Sequence, residues 1–455
     1  MEIKSIRTPG LGDATYLLSH NGLGVVVDPQ RDIDRFLIAA QDMGVRLRYV
    51  LETHVHNDYV SGGRELARET GADLVLPAGS GVAFAFVPAF HQEELGGEQG
   101  LTIRPVHTPG HTPEHVSYLV LIDGRPVALF SGGSLLVGSA GRPDLLGQAR
   151  ARQLATLQYG SVNRLAQLPD EVGLFPTHGE GSFCTASGAG RSTSTIGEEK
   201  RSNPVLAYPD AEAFVEEQLA GLGPYPKYYP NMAPINTLGP TPLPTRTVPE
   251  LTPIAVADRA PDVWVVDARP PASFAAGHIP GAIGVGLADD FGTWVGWIMP
   301  FNAPLMLVLD PDQDLEVAVV QLGRIGYDRV LGVLRGLDAW RAEGRPVDSF
   351  ETVDVERFAA AIRSNEARQV LDVRTPAEWE AGHIAGTVHR YAPDLADGVP
   401  TGLTTDEKVW LACASGYRSS IAAGLLERAG FRPVVLSRQG VPDVLERLGT
   451  TKVPA

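Results

Sequence analysis

Thr53-His54-Val55-His56-Asn57-Asp58 follows directly on the apolar stretch Tyr49-Val50-Leu51, and the reading of the first half of the chain turns on it. His54, His56 and Asp58 occupy alternate positions. If the chain leaves the strand in a tight turn, their side chains can converge on a metal ion. Neutral imidazoles suit zinc, iron or manganese, and a carboxylate adds charge and hardness. A polar loop after a strand has the same composition, so the run needs support from elsewhere in the chain.

The whole chain sets the frame for that support. Its 455 residues leave room for about three domains. A hydrophobic content of 44% is ordinary for a globular protein. The formal charge of −16 argues against nucleic acid or an anionic membrane as partner. No apolar run approaches the about 20 residues that span a bilayer. Met1-Glu2-Ile3-Lys4 is not followed by the apolar core of a secretory signal. Cys184 and Cys413 are the only cysteines and cannot form a disulfide framework. A reducing cytoplasm is the expected location, with both thiols free for chemistry.

Further along, Tyr16-Leu17-Leu18 and Val25-Val26-Val27 flank Asn21-Gly22, the signature of a hairpin. Strand-like runs at 74–76, 119–121 and 128–130 alternate with helical patterns at 33–43, 148–167 and 210–220. A proline- and tyrosine-rich stretch within 203–245 reads as an ordered or semi-rigid boundary segment. An internal repeat comes next. Val266-Asp267-Ala268-Arg269 with Gly277-His278-Ile279 recurs 105 residues later as Leu371-Asp372-Val373-Arg374 with Gly382-His383-Ile384. Two such copies, each alternating strands and helices, predict two α/β domains with parallel sheets. The expected division is 1–245, 246–346 and 352–455.

Three more segments match the chemistry of residues 53–58. His107-Thr108-Pro109-Gly110-His111-Thr112 places His111 on a Pro-Gly turn, Pro176-Thr177-His178-Gly179 follows an apolar strand, and Gly141-Arg142-Pro143-Asp144 lies between them. In content and order these resemble the metallo-β-lactamase fold superfamily, which implies an αβ/βα sandwich with metal at the sheet ends. With Glu52-Thr53-His54 and Ser194-Thr195-Ile196-Gly197-Glu198-Glu199-Lys200, residues 1–200 are similar to the persulfide dioxygenases of that superfamily. That resemblance implies one Fe(II), with Zn(II) the alternative, and places His54, His56, Asp58, His111 and His178 around the metal cavity.

The chain departs from the family pattern twice. Tyr59 stands where the superfamily run has a histidine, and Gly133 stands where the family has a ligand aspartate. His56 completing a three-histidine site, Asp58 swinging in, and weak metal binding are the open alternatives. The substrate-binding candidates are Arg142, whose planar fork suits a carboxylate or sulfonate, and Asp144; a structural salt bridge is the other reading of Arg142. Cys184, six residues after His178, is either a buried inert thiol or, as the resemblance implies, a group facing the active site. His91 and His115 carry no motif and read as surface or supporting residues.

The second chemical signal is Cys413-Ala414-Ser415-Gly416-Tyr417-Arg418-Ser419, between the strand-like Val409-Trp410-Leu411 and a helical run. A loop curling over a helix N-terminus turns backbone N–H groups inward and favours a thiolate. Gly416 permits the curvature and Arg418 adds positive charge. With Asp372 to Arg374 and Gly382 to Ile384, this resembles a rhodanese, a sulfur-transfer domain with Cys413 as nucleophile. In the first copy Leu309-Asp310-Pro311-Asp312-Gln313-Asp314 takes the place of the loop, with three acids and no thiol. The resemblance as a whole is to persulfide dioxygenase–rhodanese fusions. It implies persulfide oxidation to sulfite coupled to thiosulfate formation, with small-molecule persulfides, sulfite or thiosulfate and dioxygen as partners. Homo-oligomerisation stays open. A zinc thioester hydrolase fused to a sulfurtransferase, and a metal-free sulfur carrier using only Cys413, are the alternatives.

Overall fold

The computed structural model describes residues 1–179, 181–184, 191–244, 247–260 and 262–449. The expected boundary at Thr245 and Arg246 and the last six residues of the third expected domain lie outside the described residues. The chain divides into two compact units, Met1–Pro244 with Val320–Gly326, and Thr245–Val319 with Tyr327–Ala455.

The first unit is built on two six-stranded sheets. Asp13–His20 and Leu23–Val27 form the expected hairpin, and Asn21 (φ 49°) and Gly22 (φ 81°) supply the left-handed pair that a two-residue turn with the right twist requires. Leu23–Val27 is buried on both faces, so it is apolar along its length and its alternate residues go to different cores. Val25, Val27 and Leu51 join Ile103, Tyr118 and Phe130 between the sheets. Leu17, Val26 and Val50 instead pack outward on the helices Asp34–Asp42 and Gly63–Thr70. On the other side Leu119, Leu121 and Leu129 meet the helices Gln148–Leu165 and Ala211–Ala220. Helix, sheet, sheet, helix is the αβ/βα sandwich. Each fully buried Val, Leu or Phe contributes about 1.5–3 kcal/mol to holding these layers together.

The proline- and tyrosine-rich segment carries a helix, Tyr229–Leu238, with Pro230 in its first turn where a missing N–H costs nothing. Its Asn236 side chain donates to the carbonyls of His56 (2.9 Å) and Tyr59 (2.8 Å) and accepts from the Ser61 N–H (2.9 Å). The segment therefore latches the loop that carries the opening histidine run.

The second unit holds two all-parallel sheets, one of four strands and one of five. The repeated motif does the same mechanical work in both. Arg269 donates to both oxygens of Asp267 (2.9 and 2.6 Å) and to the Gly277 carbonyl (2.8 Å). Arg374 does so to Asp372 (3.0 and 2.6 Å) and the Gly382 carbonyl (2.8 Å). All four charged residues are buried, so each pair is sustained by its full hydrogen-bond set. Asp267 pairs with Val308 and Asp372 with Ala412, which places Leu309 and Cys413 at the same point of the two sheets.

The two copies are joined by His278, whose Nε2 lies 3.0 Å from a Glu427 carboxylate oxygen while Nδ1 meets the Phe274 carbonyl at 2.8 Å. Burial alone would push His278 down, but Glu427 and the Phe274 carbonyl outweigh it and raise it above 6.5. A raised pKa stabilises the folded state fully below 6.5 and loses that contribution as pH climbs through the raised value. His278→Gln should therefore cost about 1–2 kcal/mol at mildly acidic pH and progressively less in alkali. Urea midpoints of the full chain across that pH range check this.

Candidate metal centre and sulfur-carrying loop

The strand Arg46–Leu51 ends at the rim of the sandwich, and residues 52–61 turn across it. Asp28, at the end of the strand Leu23–Val27, accepts the Thr53 N–H (2.7 Å), the Thr53 hydroxyl (2.8 Å) and the Thr177 hydroxyl. The Thr53 hydroxyl has thus given its one hydrogen to Asp28. The His54 Nδ1 atom 2.8 Å from the same oxygen must be the donor, which leaves the Nε2 lone pair free. His111 is set in the same way: Nδ1 lies 2.8 Å from the Arg142 carbonyl, and buried Nε2 has no partner. His178 directs Nδ1 to Asp13 at 2.8 Å.

Three Nε2 lone pairs consequently face one another. The ligand atoms of His54, His111 and His178 all lie within 4.8 Å of each other, with the Nε2 atoms of His54 and His178 at 3.4 Å. Burial first, and repulsion among the imidazoles second, drive His54 and His111 well below 6.5, and burial lowers His178 too. Converging acceptors with no proton between them are repulsive unless a cation sits among them. The donor set therefore fits one divalent transition-metal ion, three neutral imidazoles being a good match to zinc or iron.

His56 and Asp58 offer ligand atoms beside this cluster, for His56 Nδ1 and one Asp58 oxygen are buried without a hydrogen-bond partner, 3.9 Å apart. His56 Nε2 is 3.1 Å from Glu52, 3.2 Å from Asp28 and 2.9 Å from the Tyr59 hydroxyl. Burial opposes its charge, but the two carboxylates outweigh burial and raise it well above 6.5. The carboxylates hold the proton on Nε2, and Nδ1 is the atom left for a cation. Asp58, raised to about 7 by burial and then by Asp13, lies 3.3 Å from His178 Nδ1 and accepts from the Cys184 thiol at 3.5 Å. His56, Asp58 and His178 also come within 4.8 Å of one another, as do Asp28, His54 and His56.

Cys184 is fully buried, and burial followed by Asp58 pushes its thiol up, which keeps it protonated. Arg142 is buried too. It binds both Asp144 oxygens (2.7 and 2.9 Å), the Phe183 carbonyl (3.0 Å) and the Gly223 carbonyl (2.8 Å), and lies over the Tyr225 ring. With its fork and Asp144 paired inside the protein, the geometry has the form of a brace for residues 183–184. Sequence reading missed Asp13 and Asp28; for Asp28 the signal was a carboxylate closing the run Val25-Val26-Val27-Asp28-Pro29. His115 is a buried support, stacked on His54 at 5.0 Å, with Nε2 accepting the Gly133 N–H at 2.9 Å. His91 stays at the surface, its Nδ1 accepting the His107 N–H at 3.2 Å.

In the second unit Cys413 follows the strand Lys408–Ala412 and precedes the helix Tyr417–Arg428. Gly416 at φ 92° bends the loop back so that its N–H donates to Cys413 Sγ at 3.0 Å. Arg418 gives both arms to Glu378 (2.6 and 2.7 Å). Burial would raise Glu378, but Arg418 outweighs it and holds the carboxyl at about 2. With the guanidinium paired to Glu378, the Gly416 amide is the donor that meets the sulfur. In the first copy Gln313 reaches the Asp310 N–H (2.8 Å) and the Ala268 carbonyl (2.9 Å), filling the corresponding turn with its own amide.

Residues 8–178 match the Metallo-beta-lactamase superfamily, and residues 254–343 and 354–446 each match the Rhodanese-like domain. A hydroxyacylglutathione hydrolase of Acidiphilium cryptum is 30% identical over 235 residues, which span 47% of this chain and 94% of that protein. The chain belongs to the metallo-beta-lactamase superfamily. Its metallo-beta-lactamase domain is followed by tandem rhodanese-like domains. A metallo-beta-lactamase structure from Staphylococcus aureus is 27% identical with a TM-score of 0.67, and covers 73% of this chain and 99% of its own. The structure of ETHE1 from Myxococcus xanthus is 30% identical, with a TM-score of 0.45, covering 52% of this chain and 98% of its own.

In this member of the metallo-beta-lactamase superfamily Gly133 is a packing necessity. A Cβ there would fall 2.8 Å from His111 Cγ and closer still to the ring edge. Gly133→Ala should therefore overpack the site, costing about 1–3 kcal/mol and displacing His111. Calorimetry of the metal-free protein together with metal analysis checks both effects.

Proposed function

We propose that the chain oxidises the terminal sulfur of a small-molecule persulfide to sulfite at a single iron, and transfers sulfane sulfur through Cys413 to form thiosulfate. The observation that carries this is the pairing, in one chain, of a three-imidazole cluster with a thiol that accepts the Gly416 amide. An iron ion held by His54, His111 and His178 would supply the one-electron chemistry that lets dioxygen react with sulfur. Around it the protein's own groups do the rest. Thr53, the Arg142 carbonyl and Asp13 each hold one imidazole in the tautomer that faces the centre. Asp13, raised to about 7 by burial, sits with Asp58 and can hold or release a proton beside His178 near neutral pH.

At the second site the Cys413 thiolate attacks the outer sulfur of a persulfide or of thiosulfate. The new S–S bond forms as the old one breaks, and the leaving thiolate or sulfite departs with the electron pair. The Gly416 amide that meets Sγ stabilises the charge on either side of the step. Run in reverse, the Cys413 persulfide gives its outer sulfur to sulfite and releases thiosulfate. The first copy, with Leu309 at the thiol position, acts as a scaffold.

The similarity to a hydroxyacylglutathione hydrolase favours a second reading, a zinc thioester hydrolase joined to a sulfurtransferase. Against it stand Tyr59 and Gly133, which replace a histidine and a carboxylate that a second metal would need. Protein loaded anaerobically with Fe(II) should retain one ion per chain and consume oxygen with glutathione persulfide, and His54→Ala and His178→Ala should lose both properties. Two zinc ions per chain with thioester hydrolysis would decide for the other reading. Cys413→Ser should abolish the persulfide adduct that mass spectrometry detects after thiosulfate treatment, with oxygen uptake retained.

A further inference from the structure

Within the second unit a groove runs along the flank of the Cys413 loop. One wall is apolar and comes from the first copy: Pro270, Pro271, Ala275 and Phe350. The other comes from the second copy and is polar, with Gly416 and Ser420 from the loop and helix, Arg438 after the strand Arg432–Leu436, and Asp354. Three features of that wall point to a ligand. Ser420 is 4% exposed, lines the groove, and its hydroxyl has no hydrogen-bond partner. It stands in the first turn and a half of the 12-residue helix Tyr417–Arg428, where N–H groups attract negative charge. Arg438 is exposed, takes the left-handed conformation (φ 67°) rare outside glycine, and its guanidinium has no partner among the described residues.

The charges decide what kind of anion suits the groove. Arg438 is its cation, and Asp354, the N-cap of the helix Val355–Arg363, is its anion. A dianion such as thiosulfate would be drawn by Arg438 and repelled by Asp354. A molecule with one carboxylate and one ammonium meets both, and its apolar atoms can lie against the proline and phenylalanine wall. Gly416 links the groove to the chemistry, because it forms part of the wall and its N–H is the one that meets Cys413 Sγ.

We propose that this groove binds a zwitterionic, amino-acid-like small thiol, with its carboxylate at Arg438 and Ser420 and its ammonium toward Asp354, and so selects the thiol that exchanges sulfur with Cys413. The proposal rests on the sulfur-transfer reading of Cys413, which the persulfide adduct tests separately. Binding is tested with S-methylcysteine, which keeps one carboxylate and one ammonium and cannot exchange sulfur, by titration calorimetry on the full chain. Saturable binding is expected, about tenfold weaker in Arg438→Gln as a charged hydrogen bond is lost, and partly restored in Arg438→Lys. Ser420→Ala, which removes only a buried hydroxyl, should weaken it severalfold. No saturable binding at millimolar ligand, equal binding by Arg438→Gln and Ser420→Ala, or displacement of the ligand by equimolar thiosulfate would each overturn the proposal.

Discussion

One buried carboxylate organises the first unit. Asp28 closes a strand, and its oxygens take hydrogen bonds from Thr53 and Thr177, which begin the loops after two further strands. A carboxylate fully out of water is costly unless such donors surround it. Burial raises Asp28, but His56 and these hydrogen bonds outweigh burial and hold it below its usual range. The same contacts fix where His54 and His178 start from. The tautomer of His54 follows from the direction of one hydroxyl hydrogen, and that hydrogen points where Asp28 requires. Geometry at the centre is thus inherited from a polar knot one layer below it.

Much of the fold was legible because the forces behind it are local or periodic. Asn21-Gly22 could only be a tight turn, and runs such as Val25-Val26-Val27 could only be doubly buried strands. The repeat of Asp267 and Arg269 in Asp372 and Arg374 announced two related domains before any sheet was seen. The site was legible as a set of residues and not as an arrangement. Spacing placed His54, His56 and Asp58 together, yet which His56 nitrogen is left for a cation depends on Glu52 and Asp28, and the Asp28 contact bridges two strands. Asp13 was invisible for the same reason, being 165 residues from the histidine it orients. The helix Tyr229–Leu238 hid behind its prolines, which suggested a stiff connector and concealed a latch.

The two rhodanese-like copies show how one frame tolerates opposite contents. Both keep the buried Asp-Arg fork and the parallel sheet, since losing either would leave a charge unpaired or a strand edge open. The turn that follows Leu305–Leu309 in one copy and Lys408–Ala412 in the other differs between them. In one copy it presents amides to sulfur; in the other Gln313 satisfies the same backbone from within. The sheet and its fork are the same in both copies, while the loop contents differ.

The latch of Asn236 on the carbonyls of His56 and Tyr59 has a consequence for the order of events during synthesis. The chain emerges from its N-terminus, so the histidine run is made some 180 residues before the side chain that holds its loop. Both sheets of the sandwich can assemble while that loop is still untied. The loop gains these two hydrogen bonds only when the proline-rich helix folds back on it.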